Sequence, residues 1–423
     1  MGCRLHASLV DMTESHSASA TPDFTASSGR SAPHPTAASA EIADQARQHH
    51  LPPHVPQPRG PGLLILGILG VIALSFVLLF VVVYVISGIG TDAFAIGGVL
   101  AVVPLAVVFF AVRWIDRWEP EPRLAVVFAF LWGAGVAVLL ALIVGAEIDN
   151  VINSLGGPGP GYEFFSAAIQ APIVEEAGKA LGILVIFWVA RRHFDGPVDG
   201  LVYAAWIAGG FAFIENILYF GSELLSAGDN STGILQVFLI RGLMSPFAHV
   251  MFTACTGIAL GFAVRSTSNA RSVGVFAVGL GLAIALHALW NGALFFVSDF
   301  FGYYAIVQVP LFVIAIIIVV YLRRQEERMT FERLTEYANA GWFNQDEVPV
   351  LATSQGRRRA LTWAAQHNKR ATMKVYIQEA TRLAFARQRI ITGRDRIGAI
   401  ADEAVLLGAI VEARHALTGA PRP

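Results

Sequence analysis

Glu175, Glu176 and Lys179 stand together inside the apolar stretch VEEAGKALGILV, where a single charged side chain costs at least ~2.5–3.5 kcal/mol on insertion scales. Charge held at that cost implies a task. On a helix Glu175 lies four residues and Glu176 three residues before Lys179, so either carboxylate can pair with it. Adjacent helical positions diverge by about 100°, so the two acids cannot aim at one spot. One is a working group, the other a structural partner. Three further apolar stretches carry polar groups at four-residue steps: Phe211 and Glu215, with Asn216 beside them; Arg241, Ser245 and His249, read as one polar stripe; and His287 and Asn291. Carboxylates and imidazoles gathered around water offer general acid–base chemistry.

The remaining polar groups have plainer readings. Lys179 is a charge partner rather than a nucleophile, and Cys255 is a small packing residue. Arg241 either snorkels to the outer interface or joins the buried charges. Glu175, Glu176 and Glu215 oppose only Lys179 and Arg241, which leaves one negative charge over. Burying that is costly, so a shared proton, a protonated histidine or a bound cation is expected. Pro172 and Pro246 each sit three residues before a key group, Glu175 and His249. Each removes a backbone hydrogen bond, which suits a water-holding cavity but is also common in membrane helices.

The elements that must position these groups are membrane spans. The chain has 423 residues, of which 55% are hydrophobic and only 14% charged, and its mean hydropathy is +0.58. A soluble globular chain carries roughly 25% charged residues. The two cysteines, Cys3 and Cys255, exclude a disulfide framework and a CxxC metal site. Eight stretches exceed the roughly 18 apolar residues that a crossing needs: 63–86, 94–112, 124–145, 164–190, 201–220, 235–264, 273–297 and 303–322. Arg59, then Arg113, Arg117 and Arg123, then Arg191 and Arg192, then Arg265 and Arg271, then Arg323 and Arg324 occupy alternate connections. The intervening ones, 87–93, 146–163, 221–234 and 298–302, hold no Lys or Arg. The positive-inside rule then puts both termini in the cytoplasm. That orientation places Glu175, Glu215, His249 and His287 in the outer half of the membrane or near its midplane. The expected fold is an all-α, polytopic transmembrane helix bundle over 61–322. A disordered tail, rich in Ser, Ala, Thr, Pro and His, precedes it over 1–60. A helical cytoplasmic domain follows over 323–423, whose basic surplus is read as a solvated face.

EEAGK, FAFIE, His249 and HALWN, in that order on four successive spans, resemble the PrsW family of intramembrane proteases, which shares a fold with the CAAX prenyl endopeptidases. RWIDRWEPEPR after the second span resembles the family's polar loop there. The resemblance covers roughly residues 110–297. It implies a multi-pass protein of the cell membrane that acts as a peptide hydrolase, with Glu175, Glu176, Lys179, Glu215, His249 and His287 as motif residues. Glu215 stands where the prenyl-protease branch has His, which favours the PrsW branch. The implied partners are the lipid bilayer and a single-pass membrane protein substrate such as an anti-sigma factor, cut from the extracytoplasmic side, with no nucleic acid.

Peptide hydrolysis needs an activated water, a stabilised oxyanion and a proton for the leaving amine. Glu175 is assigned as base, with Glu176 and Lys179 fixing it. His287 and Asn291 support the oxyanion or donate the proton, and His249 holds the water. If a metal such as zinc is used, His249, His287 and Glu215 are its expected ligands. The alternatives are a metal-free glutamate enzyme and, outside catalysis, a transporter or proton-relay protein built on the same buried acids and histidines.

Overall fold

A computed structural model describes residues 62–189, 194–227, 231–264, 268–393 and 396–418. The expected disordered tail over 1–60 lies outside the described residues, as do Arg191, Arg192 and Arg265. The described chain is all-helical. Helix α1 is Gly62–Ile89 and α2 is Thr91–Ile115. Helix α3 is Arg123–Ser154, with a π-helical segment at Trp132–Ala137. Helix α4 covers 162–189, with a π-helical segment at Ser166–Gln170. Helix α5 is Pro197–Ala227. Helix α6 covers 231–244 and closes on the π-helical segment Phe238–Met244. Helices α7 and α8 are Ala248–Ala263 and Asn269–Ala293, and α9 is Phe300–Asn339.

Seven stretches among the described residues are helical, long and apolar enough to cross a membrane, so the chain is a multi-pass membrane protein. They coincide with seven of the eight expected spans, with α6 and α7 together forming one of them. The eighth, α4, is as long as the others but carries Glu175, Glu176 and Lys179 in its middle, so length and apolarity alone do not qualify it.

Helix α5 is the axis of the bundle. Leu201 through Phe211 is buried at every position, and small residues let its neighbours come close, as membrane helices without a hydrophobic drive require. A Cβ on Gly133 of α3 would fall 1.8 Å from the Ile207 carbonyl oxygen. Gly200 and Gly257 meet in the same way, each with its virtual Cβ within 2.1 Å of the other's carbonyl oxygen. These contacts lock α3 and α7 against α5, the helix that carries Glu215.

Helix α9 continues past its apolar half into a C-terminal helical region made of α10 (Glu347–Ala352), α11 (Ser354–Gln366), α12 (Arg370–Ile391) and α13 (Arg396–Thr418). Leu334, Leu351, Met373, Tyr376 and Ile410 form its core. The region docks on the loop between α2 and α3. The Arg357 guanidinium lies 3.4 Å from the Trp118 ring centroid and donates to the Trp118 carbonyl at 3.2 Å. Trp118 Nε1 donates to Thr330 Oγ1 of α9 at 3.1 Å. In the same loop Glu121 accepts from the buried Tyr203 hydroxyl of α5 at 2.5 Å, and Asp116 accepts from the Glu121 backbone N–H at 3.0 Å.

Burial pushes the Asp116 carboxyl up to about 6. The folded chain therefore binds this proton more tightly than the unfolded chain, and the associated stability falls as pH rises from about 4 through 6. Asp116→Asn keeps the acceptor without the charge. It is expected to stabilise the protein at about pH 7.5 by at most ~2–3 kcal/mol, read as a higher thermal unfolding midpoint, and to leave the midpoint unchanged below about pH 3. A variant no more stable than the parent at the higher pH contradicts this.

Candidate active site

The polar groups of α4, α5, α6, α7 and α8 meet inside the bundle around Lys179, which is fully buried. Its ammonium has three N–H donors, and three acceptors surround it: Glu176 Oε1 at 2.8 Å, His249 Nδ1 at 3.2 Å and Glu175 Oε2 at 3.4 Å. The Phe211 ring closes the remaining side, with its centroid 3.9 Å from Nζ. That contact explains why an aromatic residue stands four places before Glu215.

The hydrogen bonds sort the three carboxylates. Glu176 accepts from Lys179, from Thr253 Oγ1 at 2.8 Å and, at 3.2 Å, from His287 Nδ1. Its acceptor sites are committed to holding three helices together. Glu215 Oε2 accepts from Arg241 at 2.5 Å and from His249 Nε2 at 2.7 Å. Arg241 also donates to Asn216 Oδ1 at 3.1 Å and lies over the Tyr219 ring, so it joins the buried charges rather than snorkelling. Glu175 makes only the long contact with Lys179 and a 3.9 Å approach to His287 Nε2. It is the least engaged of the three carboxylates.

The same network fixes the imidazoles. A charged Lys179 makes His249 Nδ1 an acceptor and leaves the proton on Nε2, facing Glu215. Glu176 holds the proton on His287 Nδ1 and leaves a lone pair on Nε2. Phe252 stacks on His287 with ring centroids 5.0 Å apart, which sets its plane. His287 Nε2 and Glu175 Oε2 confront each other 3.9 Å apart, where a shared proton, a water or a cation can bridge them.

Among the described residues, one group of ligand atoms is close enough to hold a metal ion. Glu175, His249 and His287 each contribute one atom, all within 4.8 Å of one another. The expected ligand Glu215, whose Oε2 accepts from Arg241 and His249, is not among them, and Glu175 takes its place. Two histidines and a carboxylate are the donor set of open catalytic zinc sites. His287 also has its second nitrogen anchored on a carboxylate, as such ligands usually do. The donor types fit a metal, which would have to take a nitrogen of His249 from Lys179 or from Glu215.

Two expectations change. Arg241, Ser245 and His249 do not form one continuous helical stripe. The π-helical segment ends at Met244, Ser245 Oγ turns back to the Ile240 carbonyl at 2.7 Å, and a new helix begins at Ala248 beyond Pro246. Asn291 is tied to backbone rather than to the cluster: Nδ2 donates to the Ala167 carbonyl at 2.9 Å. Ala171 N–H bonds to Ser166 O, five residues back. In that register residue 172 would donate to Ala167, and Pro172 has no N–H to give. Thr253 escaped the sequence reading. Its signal was its place one turn beyond His249 on the same face.

All of these residues fall within 121–318, which matches the family described as PrsW family intramembrane metalloprotease. The chain is similar to protease PrsW of Clostridioides difficile (strain 630), 31% identical over 195 residues, which are 45% of this chain and 76% of the relative. It is similar to protease PrsW of Oceanobacillus iheyensis, 29% identical over 210 residues, 49% of this chain and 86% of the relative. It is also similar to protease PrsW of Bacillus subtilis (strain 168), 28% identical over 188 residues, 44% and 78%. No solved structure matches. With three quarters of a relative aligned at that identity and the Glu/His cluster inside the matched stretch, the chain belongs to the PrsW family of intramembrane metalloproteases.

Proposed function

We propose that this protein hydrolyses a peptide bond of a membrane-tethered, single-pass substrate of the anti-sigma-factor kind, with Glu175 as the base that activates water. The observation that carries the reading is the 3.9 Å gap between Glu175 Oε2 and His287 Nε2, flanked by groups already committed elsewhere. Water in that gap gives one proton to the Glu175 carboxylate and is held by the His287 lone pair. The protonated Glu175 then passes its proton to the leaving amine. Lys179 fixes the Glu175 carboxylate, Glu176 and Thr253 hold Lys179 and His287 in register, and Glu215 orients His249. Asn291 braces α8 against α4. A zinc ion held by His249, His287 and one oxygen of Glu175 would occupy that gap itself, would supply Lewis-acid polarisation of the scissile carbonyl and a more acidic water, and would leave only the second Glu175 oxygen to take the proton.

The proposed architecture has α4 as an eighth crossing, since its charges are neutralised inside the bundle and its length suffices. With arginines at alternate connections, both ends of the chain then lie in the cytoplasm, and the cut falls on the outer side. The proposed division is a tail over 1–60, a protease core over 61–322 and a cytoplasmic helical domain over 323–423.

Metal content and cleavage can be measured on one preparation. The expected result is about one zinc per chain, cleavage of a single-pass reporter in detergent that stops with o-phenanthroline, and recovery on adding zinc. Full activity in a metal-free sample would instead assign the reaction to glutamate and imidazole alone. Proton flux in proteoliposomes without any reporter cleavage would overturn the proteolytic reading.

A further inference from the structure

Away from the Glu/His cluster, α7 and α8, with Ile318 of α9, border an open apolar groove of about 570 Å³. Small residues, Cys255, Ala259 and Gly279, form its floor. Helices α7 and α8 touch closely there, since a Cβ on Gly279 would meet that of Ala259 at 2.3 Å. Large side chains that face outward, including Val278 at 72% exposure, form its walls. At one end stands Arg271, in the first turn of α8. The residue is exposed, and its apolar stem borders the groove.

We infer that this groove binds one anionic phospholipid, with the phosphate on Arg271 and an acyl chain along α8. Length supports the assignment. From Arg271 to Leu282, the far lining residue on α8, a helix rises ~16 Å, which is about half of the ~30 Å hydrocarbon core. That is the reach of one acyl chain in one leaflet. Charge complementarity selects the headgroup. A guanidinium at the edge of an apolar crevice needs a counter-anion, and it meets a phosphate with two parallel N–H donors.

Native mass spectrometry of the delipidated full-length protein, titrated separately with palmitoyl-oleoyl phosphatidylglycerol and phosphatidylcholine, tests this. The expected result is one retained phosphatidylglycerol, at least fivefold favoured over phosphatidylcholine. Arg271→Gln should remove the preference. Gly274→Leu should remove binding of both, and it spares the fold because a Cβ at Gly274 meets nothing within 4 Å. An unchanged unfolding midpoint confirms that for each variant. Equal retention of the two lipids by the parent protein, or undiminished retention by Gly274→Leu, overturns the proposal. So does displacement of the adduct by inorganic phosphate, which would mark an anion site with no chain in the groove.

Discussion

Glu175→Gln is expected to remove cleavage, lowering kcat/KM by ~10²–10⁴-fold or more, while the protein folds as before. The substitution keeps the size of the side chain and deletes its ability to take a proton. Its cost to the fold is small, because Glu175 contributes only the 3.4 Å contact to Lys179 and the ammonium keeps Glu176 at 2.8 Å. Glu176→Gln makes the complementary control. That residue accepts from three helices, so its loss should appear in the unfolding midpoint as well as in the rate. A Glu175→Gln enzyme that cleaves at the parental rate would exclude it as the base.

Lys179→Met is expected to destabilise the protein by ~3–5 kcal/mol. Methionine fills the space but leaves Glu175 and Glu176 facing each other without a cation, in a site where Glu176 and the lysine itself are fully sequestered. Thermal unfolding in detergent reads the loss. Adding Glu176→Gln to Lys179→Met should recover part of it, since an unpaired buried charge is costlier than none. A double-mutant cycle across the pair isolates the coupling. A Lys179→Met protein as stable as the parent would mean that the ammonium does not organise the cluster.

Charges inside apolar stretches made the site legible. Glu175, Glu215, His249 and His287 stand out because nothing but a shared polar interior explains them on four neighbouring spans. The structure brings their helices together. The fourfold spacing of Phe211 and Glu215 also held, with the ring lying under Lys179. What sequence could not supply was the division of labour. A 3.6-residue repeat does not foretell π-helical segments, and the one at Phe238–Met244 carries Arg241 onto Glu215. That pairing takes Glu215 out of the candidate metal group and leaves Glu175 in it. The partner of Asn291 was hidden for a related reason: it is a carbonyl that Pro172 and a π turn leave without a donor, a debt of backbone geometry. The charges on α4 that exposed the site also set that helix apart from the seven apolar spans.

The continuous α-helical rod from Val309 to Asn339 makes the angular phase of the C-terminal helices part of the design. Thr330 must face Trp118 for their hydrogen bond to form. One residue inserted between 323 and 329 would swing everything beyond it by about 100° and push it ~1.5 Å along the axis. Seven inserted residues would nearly restore the heading at a displacement of ~10 Å. Sequence length between the last apolar turn and Thr330 is therefore under a torsional constraint that composition alone does not reveal.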